Sequence, residues 1–352
     1  MQKKPSFEPD EFQLILSTVT SLRENNEQLR SIQQKTKYSV TESCLNELIT
    51  EHYTDSPTLM EEKMDYLGFH YLKTEKLCMA VFKIDNYHSF ITEHSLDELW
   101  ELRFAAVNII EELVAAKYTC NGFSRDNDKF VLILSCSNET DLVDFEDRFV
   151  LLLQSIQNTI EAHLHFTVSI TYNTNLPNIG ELPIIYKQLE TSLLLKMRLG
   201  HAAIIDPHLI DEIRPEPFQC SYKATNQLID YLIQGKLDKT LSLYQEIVQD
   251  LFYCDYAEIH STLFYLIHSI YERLSEKYPM LKDIFVEAMK KFISRLEYAE
   301  VSDDILMLSR NYFETICNAV QTIYEEVHFS VFIRNSYGKA CRIPAYKQSS
   351  IE

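Results

Sequence analysis

The stretch that decides the fold spans residues 123–130 and consists of Phe123-Ser124-Arg125-Asp126-Asn127-Asp128-Lys129-Phe130. Its middle, from Arg125 to Asp128, is rich in the polar residues that turns favour. Apolar residues stand on both sides and continue behind it to Leu134, which is typical of a hairpin. The sequence therefore predicts two strands, over residues 119–124 and 129–136, joined by a turn at 125–128.

A second apolar run lies upstream of the hairpin. Residues 77–84 (Leu-Cys-Met-Ala-Val-Phe-Lys-Ile) contain a single polar interruption, which predicts a buried strand. The pair Asp85-Asn86 that follows predicts a turn. Apolar residues at helical spacing from about Leu96 to Ala116 then predict a helix with a wide apolar face. The central region thus begins with a strand, a helix and a hairpin.

The pattern continues to alternate after the hairpin. It predicts a helix to about residue 164, a strand over 165–172, a loop over 173–183, a helix over 184–199 that Gly200 ends, and a short strand over 202–205. This order, β-α-β-β-α-β-α-β, predicts a ferredoxin-like palm, in which helices cover one side of a mixed sheet. The predicted fold class is therefore α+β.

A long helix is predicted before the palm, from about residue 10 to residue 52. Residues at alternating spacings of three and four form the a/d seam of a coiled coil: Phe12, Ile15, Val19, Leu22, Asn26 and Leu29. One polar Asn in such a seam favours a parallel homodimer, because it fixes the register of the two helices. The alternative is an amphipathic helix that packs on its own domain.

Two prolines in Ile213-Arg214-Pro215-Glu216-Pro217 predict a domain boundary. Helical patterns follow, over about 222–235, 238–253, 256–277, 280–297 and 302–327. The predicted organisation is a signalling helix at 1–56, a palm domain at 57–213, an all-helical linker domain at 214–327, and an irregular basic tail at 328–352.

Composition excludes several classes of protein. The formal net charge of −19 disfavours nucleic acid as a direct partner, because phosphate binding needs a basic surface. Only six glycines are present, and neither a Walker A loop nor a dinucleotide fingerprint occurs. These observations argue against the two enzyme classes that those loops define.

Cysteine spacing and hydropathy predict the compartment. The eight cysteines form no Cys-x-x-Cys pair, which favours reduced thiols over a disulfide framework or a zinc site. No run approaches 18 apolar residues, and no apolar signal core follows Lys3-Lys4. We therefore expect a cytoplasmic protein without a membrane segment in this chain.

The turn at 125–130 resembles that of a degenerate GGDEF domain, the diguanylate cyclase fold, whose hairpin carries Arg-x-Gly-Gly-Asp-Glu-Phe. Arg125, Asp128 and Phe130 match that motif. Asp126 and Asn127 stand where the family has glycines, and Lys129 stands where it has an acidic residue.

The first-strand motif of that family, Asp-x-Asp followed by Phe, becomes Asp85-Asn86-Tyr87 with Phe90 later. One of the two carboxylates that would hold metal ions is therefore missing. The resemblance implies vestigial cyclase positions at Asp85, Tyr87, Arg125, Asp128 and Lys129, with no catalytic residue, no metal and no cofactor. A single weakly held metal at Asp85 and Asp128 is the alternative.

A wider resemblance covers residues 10–327, through the segments FKIDNYHSF, LRFAAVNIIEEL, GFSRDNDKFVLIL, FTVSITYNT and YKQLETSLLLKMRLGHAAII. This arrangement resembles the regulatory half of large AraC-type transcription regulators of Gram-positive bacteria. Those proteins end in two helix-turn-helix units, and this chain stops where we expect them to begin. Many of them also start with a membrane sensor or a receiver domain.

The resemblance implies a non-enzymatic role. We expect the chain to relay a sensory input through a homodimer to a DNA-binding segment that the chain itself lacks, downstream of a separate sensor. The competing hypothesis is a ligand- or nucleotide-binding module that retains binding without turnover. A further alternative is a gene remnant without function.

One pair of histidines suggests a metal. His163 and His165 are two residues apart at the predicted start of a strand, where both would face the same side of the sheet. A third ligand at suitable spacing is missing from the sequence nearby. We therefore expect these histidines to be ordinary edge residues.

Overall fold

The computed structural model describes Arg23 and residues 39–50, 62, 64–66, 68–73, 76–136, 142–206, 209, 218 and 221–340. Side chains are described for these residues except at 142–143 and 326–340. Residues 39–50 of the predicted N-terminal helix are helical. The predicted seam residues from Phe12 to Leu29 lie outside the described residues, so the coiled coil stays a prediction.

The chain divides into two compact units. The first contains residues up to 84 together with 94–190, and the second contains residues 85–93 and 191 onward. The elements of the central part, in chain order, are α1 (39–50), β1 (Leu77–Ile84), α2 (Tyr87–Glu93), α3 (Leu96–Ala115), β2 (Cys120–Arg125), β3 (Lys129–Ser135), α4 (Leu142–Leu164), β4 (Val168–Leu176), α5 (Leu182–Ser192), α6 (Lys196–Leu199) and β5 (Ile204–Ile205).

Four strands of the first unit form a sheet in the order β2-β3-β1-β4. β3 pairs antiparallel with both β2 and β1, and β4 pairs antiparallel with β1. These three pairings are all antiparallel. The chain reverses in the hairpin, and β3 lies between β1 and β2. The two strands that run parallel, β1 and β2, are therefore not neighbours. The predicted hairpin and the buried first strand are confirmed.

Helix α3 packs on this sheet through a buried face formed by Ala106, Val107, Ile110 and Val114. Its start is fixed by a capping box, in which the Ser95 hydroxyl accepts from the Glu98 N–H and the Glu98 carboxylate accepts from the Ser95 N–H. The sequence predicts this helix to within a residue.

Two predictions at the end of the palm are wrong. Strand β4 begins at Val168 rather than 165, because His165 has a positive φ of 61° directly after α4. The strand then continues to Leu176, and α5 begins at Leu182, so the predicted loop at 173–183 is largely structured. His163 lies in the last turn of α4. The two histidines therefore do not share a strand, and the predicted geometry for a metal pair is absent.

The second unit is formed mainly by helices, as predicted. They are α7 (Tyr222–Ile233), α8 (Leu237–Val248), α9 (Tyr256–Lys277), α10 (Lys282–Leu296) and α11 (Ser302–Ala340). Its apolar core includes the fully buried aromatic side chains Tyr244, Phe285 and Phe313. These three aromatic side chains are thus used for packing.

Two predicted domain limits differ from the structure. Residues 191–206 belong to the second unit, because Met197 is buried in the helical core with Leu228 and Tyr244. The backbone of α11 also continues to Ala340, so the predicted irregular tail is helical over 328–340. Residues 341–352 lie outside the described part of the chain. Among the described helices, none combines the length and the apolar character that a membrane crossing requires.

Candidate functional site

The hairpin turn contains a backbone conformation with positive φ, which glycine adopts most easily. Arg125 and Lys129 pair across the two strands, so the turn consists of Asp126, Asn127 and Asp128. Asp126 has a φ of 53°, a left-handed conformation that Asp tolerates better than most residues. The Arg103 guanidinium donates to the carbonyl of Asp126 at 2.6 Å and to Asn127 Oδ1 at 3.2 Å. The turn is therefore held in place although both glycines of the resembled motif are replaced.

Lys129 is the centre of the charged cluster at this turn. Its Nζ lies 2.8 Å from Glu190 Oε1, 3.3 Å from Asp126 Oδ2 and 4.0 Å from Asp128 Oδ1. Burial alone would lower the pKa of Lys129, but the hydrogen bond to Glu190 and the charges of Asp128 and Glu190 outweigh it and raise that pKa. Lys129 is thus a fixed cation among three carboxylates.

Asp128 faces lysines rather than open solvent. Its carboxylate lies 3.9 Å from Lys83 Nζ and 4.0 Å from Lys129 Nζ, with 22% of the side chain exposed. Its carbonyl oxygen accepts a hydrogen bond of 2.8 Å from the Ile84 N–H. The acidic side chain that survives from the resembled motif is therefore neutralised by cations of the same chain.

Arg125 is used to hold the hairpin. Its guanidinium donates to Asn46 Oδ1 at 3.4 Å and lies 5.9 Å from the centre of the Tyr186 ring. Asn46 in α1 also donates to the carbonyl of Ser124 at 3.0 Å. Arg125 and Asn46 thus connect α1 to the end of β2 within the first unit.

A second charged cluster is centred on Asp85 in the second unit. Asp85 Oδ1 lies 2.6 Å from Lys196 Nζ, and Asp85 Oδ2 accepts from the Ala202 N–H at 2.8 Å. Ala202 can donate in this way because it has a left-handed φ of 53°. The side chains of Asp85 and Lys196 are 0% and 4% exposed. The pair is therefore shielded from water. Dissolved ions screen such a buried ion pair much less than an exposed one.

Glu300 is the second carboxylate of this cluster. Its carboxylate accepts from the backbone N–H groups of Asn86, at 3.0 Å, and Tyr87, at 2.9 Å. It also forms a short ion pair with Lys196. The Lys196 ammonium thus lies between the carboxylates of Asp85 and Glu300, and Glu300 holds the backbone that precedes α2.

His201 borders the cluster between two acidic side chains. Its Nδ1 lies 3.7 Å from Asp85 Oδ1, and its Nε2 lies 3.8 Å from Asp304 Oδ2. The interaction with Asp85 is the largest influence on the histidine and raises its pKa, against the effect of burial and of Lys196. Asp304 in turn accepts from the N–H groups of Glu300 and Val301. Protonated His201 would therefore link Asp85 to the start of α11.

Burial alone would raise the pKa of Asp85, but His201, Lys196 and the Ala202 N–H together lower it well below its usual range. Asp85 is thus ionised under ordinary conditions. Single oxygen or nitrogen atoms of Asp85, His201 and Glu300 lie within 4.8 Å of one another, a spacing at which they could share a metal ion. The Lys196 ammonium already binds the two carboxylates, so a metal ion would have to displace it.

The structure divides the predicted vestigial positions between two clusters. Arg125, Asp128 and Lys129 come together at the hairpin turn of the first unit, while Asp85 and Tyr87 lie in the second. The Tyr87 side chain is half-buried, and its ring centre lies 6.2 Å from that of Phe90. Tyr87 contributes its backbone N–H to the second cluster.

Sequence reasoning missed Lys196, His201 and Glu300. One indication was present, since Lys196 stands between the apolar run Leu193-Leu194-Leu195 and Met197, and a lysine in such a stretch is rarely buried without a partner. The partner itself is 104 residues away at Glu300, a separation that no local pattern reveals.

No protein-family model matches the chain, and no curated protein matches it. One similar solved structure is described as the active GGEEF domain of a diguanylate cyclase from Vibrio cholerae. The similarity covers 42% of this chain and 88% of that one, at 13% sequence identity and a TM-score of 0.30.

Proposed function

We propose that this chain is a non-catalytic signal-transmission module, built around a palm domain that no longer performs nucleotide chemistry. In the fuller form of this proposal it is part of an AraC-type transcription regulator. It would act as a homodimer and pass a sensory input to a helix-turn-helix segment outside these 352 residues. The sequence resemblance over residues 10–327 supports that setting.

The observation that carries the non-catalytic part is the pairing of the surviving acidic positions with lysines. Asp128 faces Lys83 and Lys129, and Asp85 binds Lys196. Two-metal phosphoryl transfer needs carboxylates that are free to bind cations and to lower the charge of the nucleotide. Here the cations are ammonium groups fixed on the chain, which cannot provide a Lewis acid or activate an attacking oxygen.

A matched set of variants tests this assignment. Purified protein is incubated with GTP and Mg²⁺ or Mn²⁺, beside an active diguanylate cyclase as positive control, and the products are separated by chromatography. We expect no cyclic dinucleotide from the wild type or from Lys129→Glu. Product that depends on the protein and disappears in Asp85→Asn would overturn the assignment.

The second candidate, binding without turnover, would use a cleft of the first unit. An open polar cleft of about 460 Å³ is lined by Ser39, Glu42, Ser43, Asn46, Glu47, Thr50 and Arg125. Arg125 is a suitable group for an anion, but Glu42 and Glu47 oppose one, so we expect no nucleotide to bind there. Calorimetric titration with GTP and with a cyclic dinucleotide separates the candidates, since micromolar binding that Arg125→Ala abolishes would favour the binding module.

Transmission to DNA has its own test. The full 352-residue chain is fused to a dimer-dependent DNA-binding domain with a known operator, and repression of a reporter is measured. We expect repression by the fusion, and none by the DNA-binding domain alone. Equal, weak repression by both would argue against a relay through a dimer.

A further inference from the structure

Two cysteine sulfurs lie close together in the core of the first unit. Cys78 is in β1, and Cys136 directly follows β3. Their Sγ atoms are 3.0 Å apart, and the two residues are 0% and 1% exposed. Neither the proposed signalling role nor the charged clusters use this pair.

The strand register explains why these sulfurs meet. Cys78 stands opposite Leu134, and the Cys136 N–H donates to the carbonyl of Lys76 at 3.0 Å. The two cysteines are therefore diagonal neighbours on adjacent antiparallel strands. Their side chains lie on the same face, because residues two apart in a strand point the same way.

A register shift between β1 and β4 adds a contact to Cys78. Leu77 pairs with Leu176 and Met79 with Asn173, so the extra residue lies in β4, opposite Cys78. The Thr174 carbonyl of that segment lies 3.5 Å from the Cys78 sulfur, and Cys136 Sγ lies 3.0 Å from it. The Cys78 sulfur is therefore enclosed between β4 and Cys136.

We propose that Cys78 and Cys136 form an oxidative modification site, in which a small hydroperoxide converts the two thiols into one intrachain disulfide. A disulfide bond is about 2.05 Å long, so the sulfurs need to approach by roughly 1 Å.

The chemistry balances with hydrogen peroxide as the only co-reactant. One thiolate sulfur attacks an oxygen of the peroxide, the O–O bond breaks, and a sulfenic acid and one water form after proton transfer. The second thiol then attacks the sulfenic sulfur, so the S–S bond forms, the S–O bond breaks, and a second water leaves. The two sulfurs are oxidised together by two electrons, and the peroxide is reduced.

Burial decides which oxidants can act. Both residues are almost fully covered, so a small uncharged oxidant is expected to reach them, and a bulky one such as oxidised glutathione is not. Cys317 is an equally buried comparison, at 1% exposure, in the second unit. Cys317 therefore shows what burial alone allows, and Cys78 and Cys136 differ from it in the 3.0 Å that separates their two sulfurs.

The experiment uses the full chain. Native protein is treated with hydrogen peroxide, quenched, alkylated in denaturant, digested without reductant, and mapped by mass spectrometry. We expect a cross-linked peptide pair joining Cys78 to Cys136, and the loss of two of the eight titratable thiols. Cys317→Ser should give the same cross-link, whereas Cys136→Ser should give none and Cys78→Ser none.

The wild-type map decides the question even if a variant fails to fold. Eight unchanged thiols after treatment would overturn the proposal. So would a sulfinic acid on either cysteine without a cross-link, or a cross-link that joins other cysteines. A disulfide that forms equally fast with oxidised glutathione would overturn the part that assigns a small hydroperoxide as the oxidant.

Discussion

Lys196 and Asp85 form an ion pair in which 2.6 Å separates Nζ from Oδ1, and both side chains are almost completely buried. The ammonium also binds Glu300, so one cation balances two carboxylates. A buried pair of this kind contributes little by itself, because desolvation offsets the attraction between the charges. Removing one partner is different, since it leaves the other charges buried without compensation.

We therefore predict that Lys196→Met destabilises the second unit by about 3–5 kcal/mol. Urea unfolding followed by far-UV circular dichroism measures the change in the free energy of unfolding. Lys223→Met, which removes an exposed lysine of α7, is the matched control and should change stability by less than about 0.5 kcal/mol. Equal effects of the two substitutions would show that the buried network does not stabilise this unit.

His201 predicts a pH dependence with a definite sign. Its pKa is raised in the folded protein, chiefly by Asp85, so folding favours the protonated ring. That stabilisation is fully present below the unfolded pKa of about 6.5 and is lost as the pH rises through the higher folded value. Asp304 and Lys196 also face the ring, and neither reverses the direction of the shift.

Stability measured from pH 5.5 to 8.5 should therefore fall across this window in the wild type and fall less in His201→Gln. His163→Gln, which changes an exposed histidine, should keep the wild-type slope. Titration of the His201 ring by NMR gives a direct check, and a folded pKa below about 6.5 would contradict the prediction.

Lys129 allows a test of the charge arrangement at the hairpin turn. Lys129→Glu restores the acidic residue of the resembled motif, but it places a new carboxylate beside Asp126, Asp128 and Glu190. We expect a loss of about 1–3 kcal/mol from the first unit, because the cation that compensates these charges is replaced by a like charge. Thermal unfolding measures the loss.

Lys117→Glu makes the same change of charge at an exposed position after α3 and is the matched control. It should lower the stability of the first unit by less than about 0.5 kcal/mol. A stabilised Lys129→Glu variant would mean that the turn is built to hold a cation other than lysine.

The sequence predicts most elements because their patterns are local. The apolar face of α3, the apolar run of β1 and the polar turn between Arg125 and Lys129 each indicate an element through neighbouring residues. The charged cluster around Lys196 could not be predicted in this way. Its partners, Asp85 and Glu300, come from distant segments, and only tertiary packing brings them to one ammonium group.

The start of β4 shows the same limit at shorter range. The alternating pattern from His165 to Tyr172 correctly indicates a strand, yet His165 adopts a left-handed conformation that delays its start to Val168. The pattern of side chains therefore predicted strand β4. Its first residue depends on the backbone conformation between α4 and β4, which the pattern does not reveal.

The homodimer is the part of the proposed function that depends on the N-terminal seam. If that seam is parallel and two-stranded, Asn26 meets its symmetry mate, and the two amides can form a hydrogen bond that a slipped register would lose. Asn26→Leu should then raise dimer stability and relax the oligomeric state. Val19→Asp should place two unpaired charges in the seam and shift the chain toward monomer.

Sedimentation of the wild type and both variants at tens of micromolar measures these outcomes. Glu24→Asp, a conservative change outside the seam, is the control and should sediment as the wild type does. The two variants must move in opposite directions, because leucine removes a buried polar group and aspartate adds a buried charge at the same interface. A monomeric wild type, or a Val19→Asp variant of unchanged mass, would mean that this helix packs on its own domain, and the relay through a dimer would then have no seam to act through.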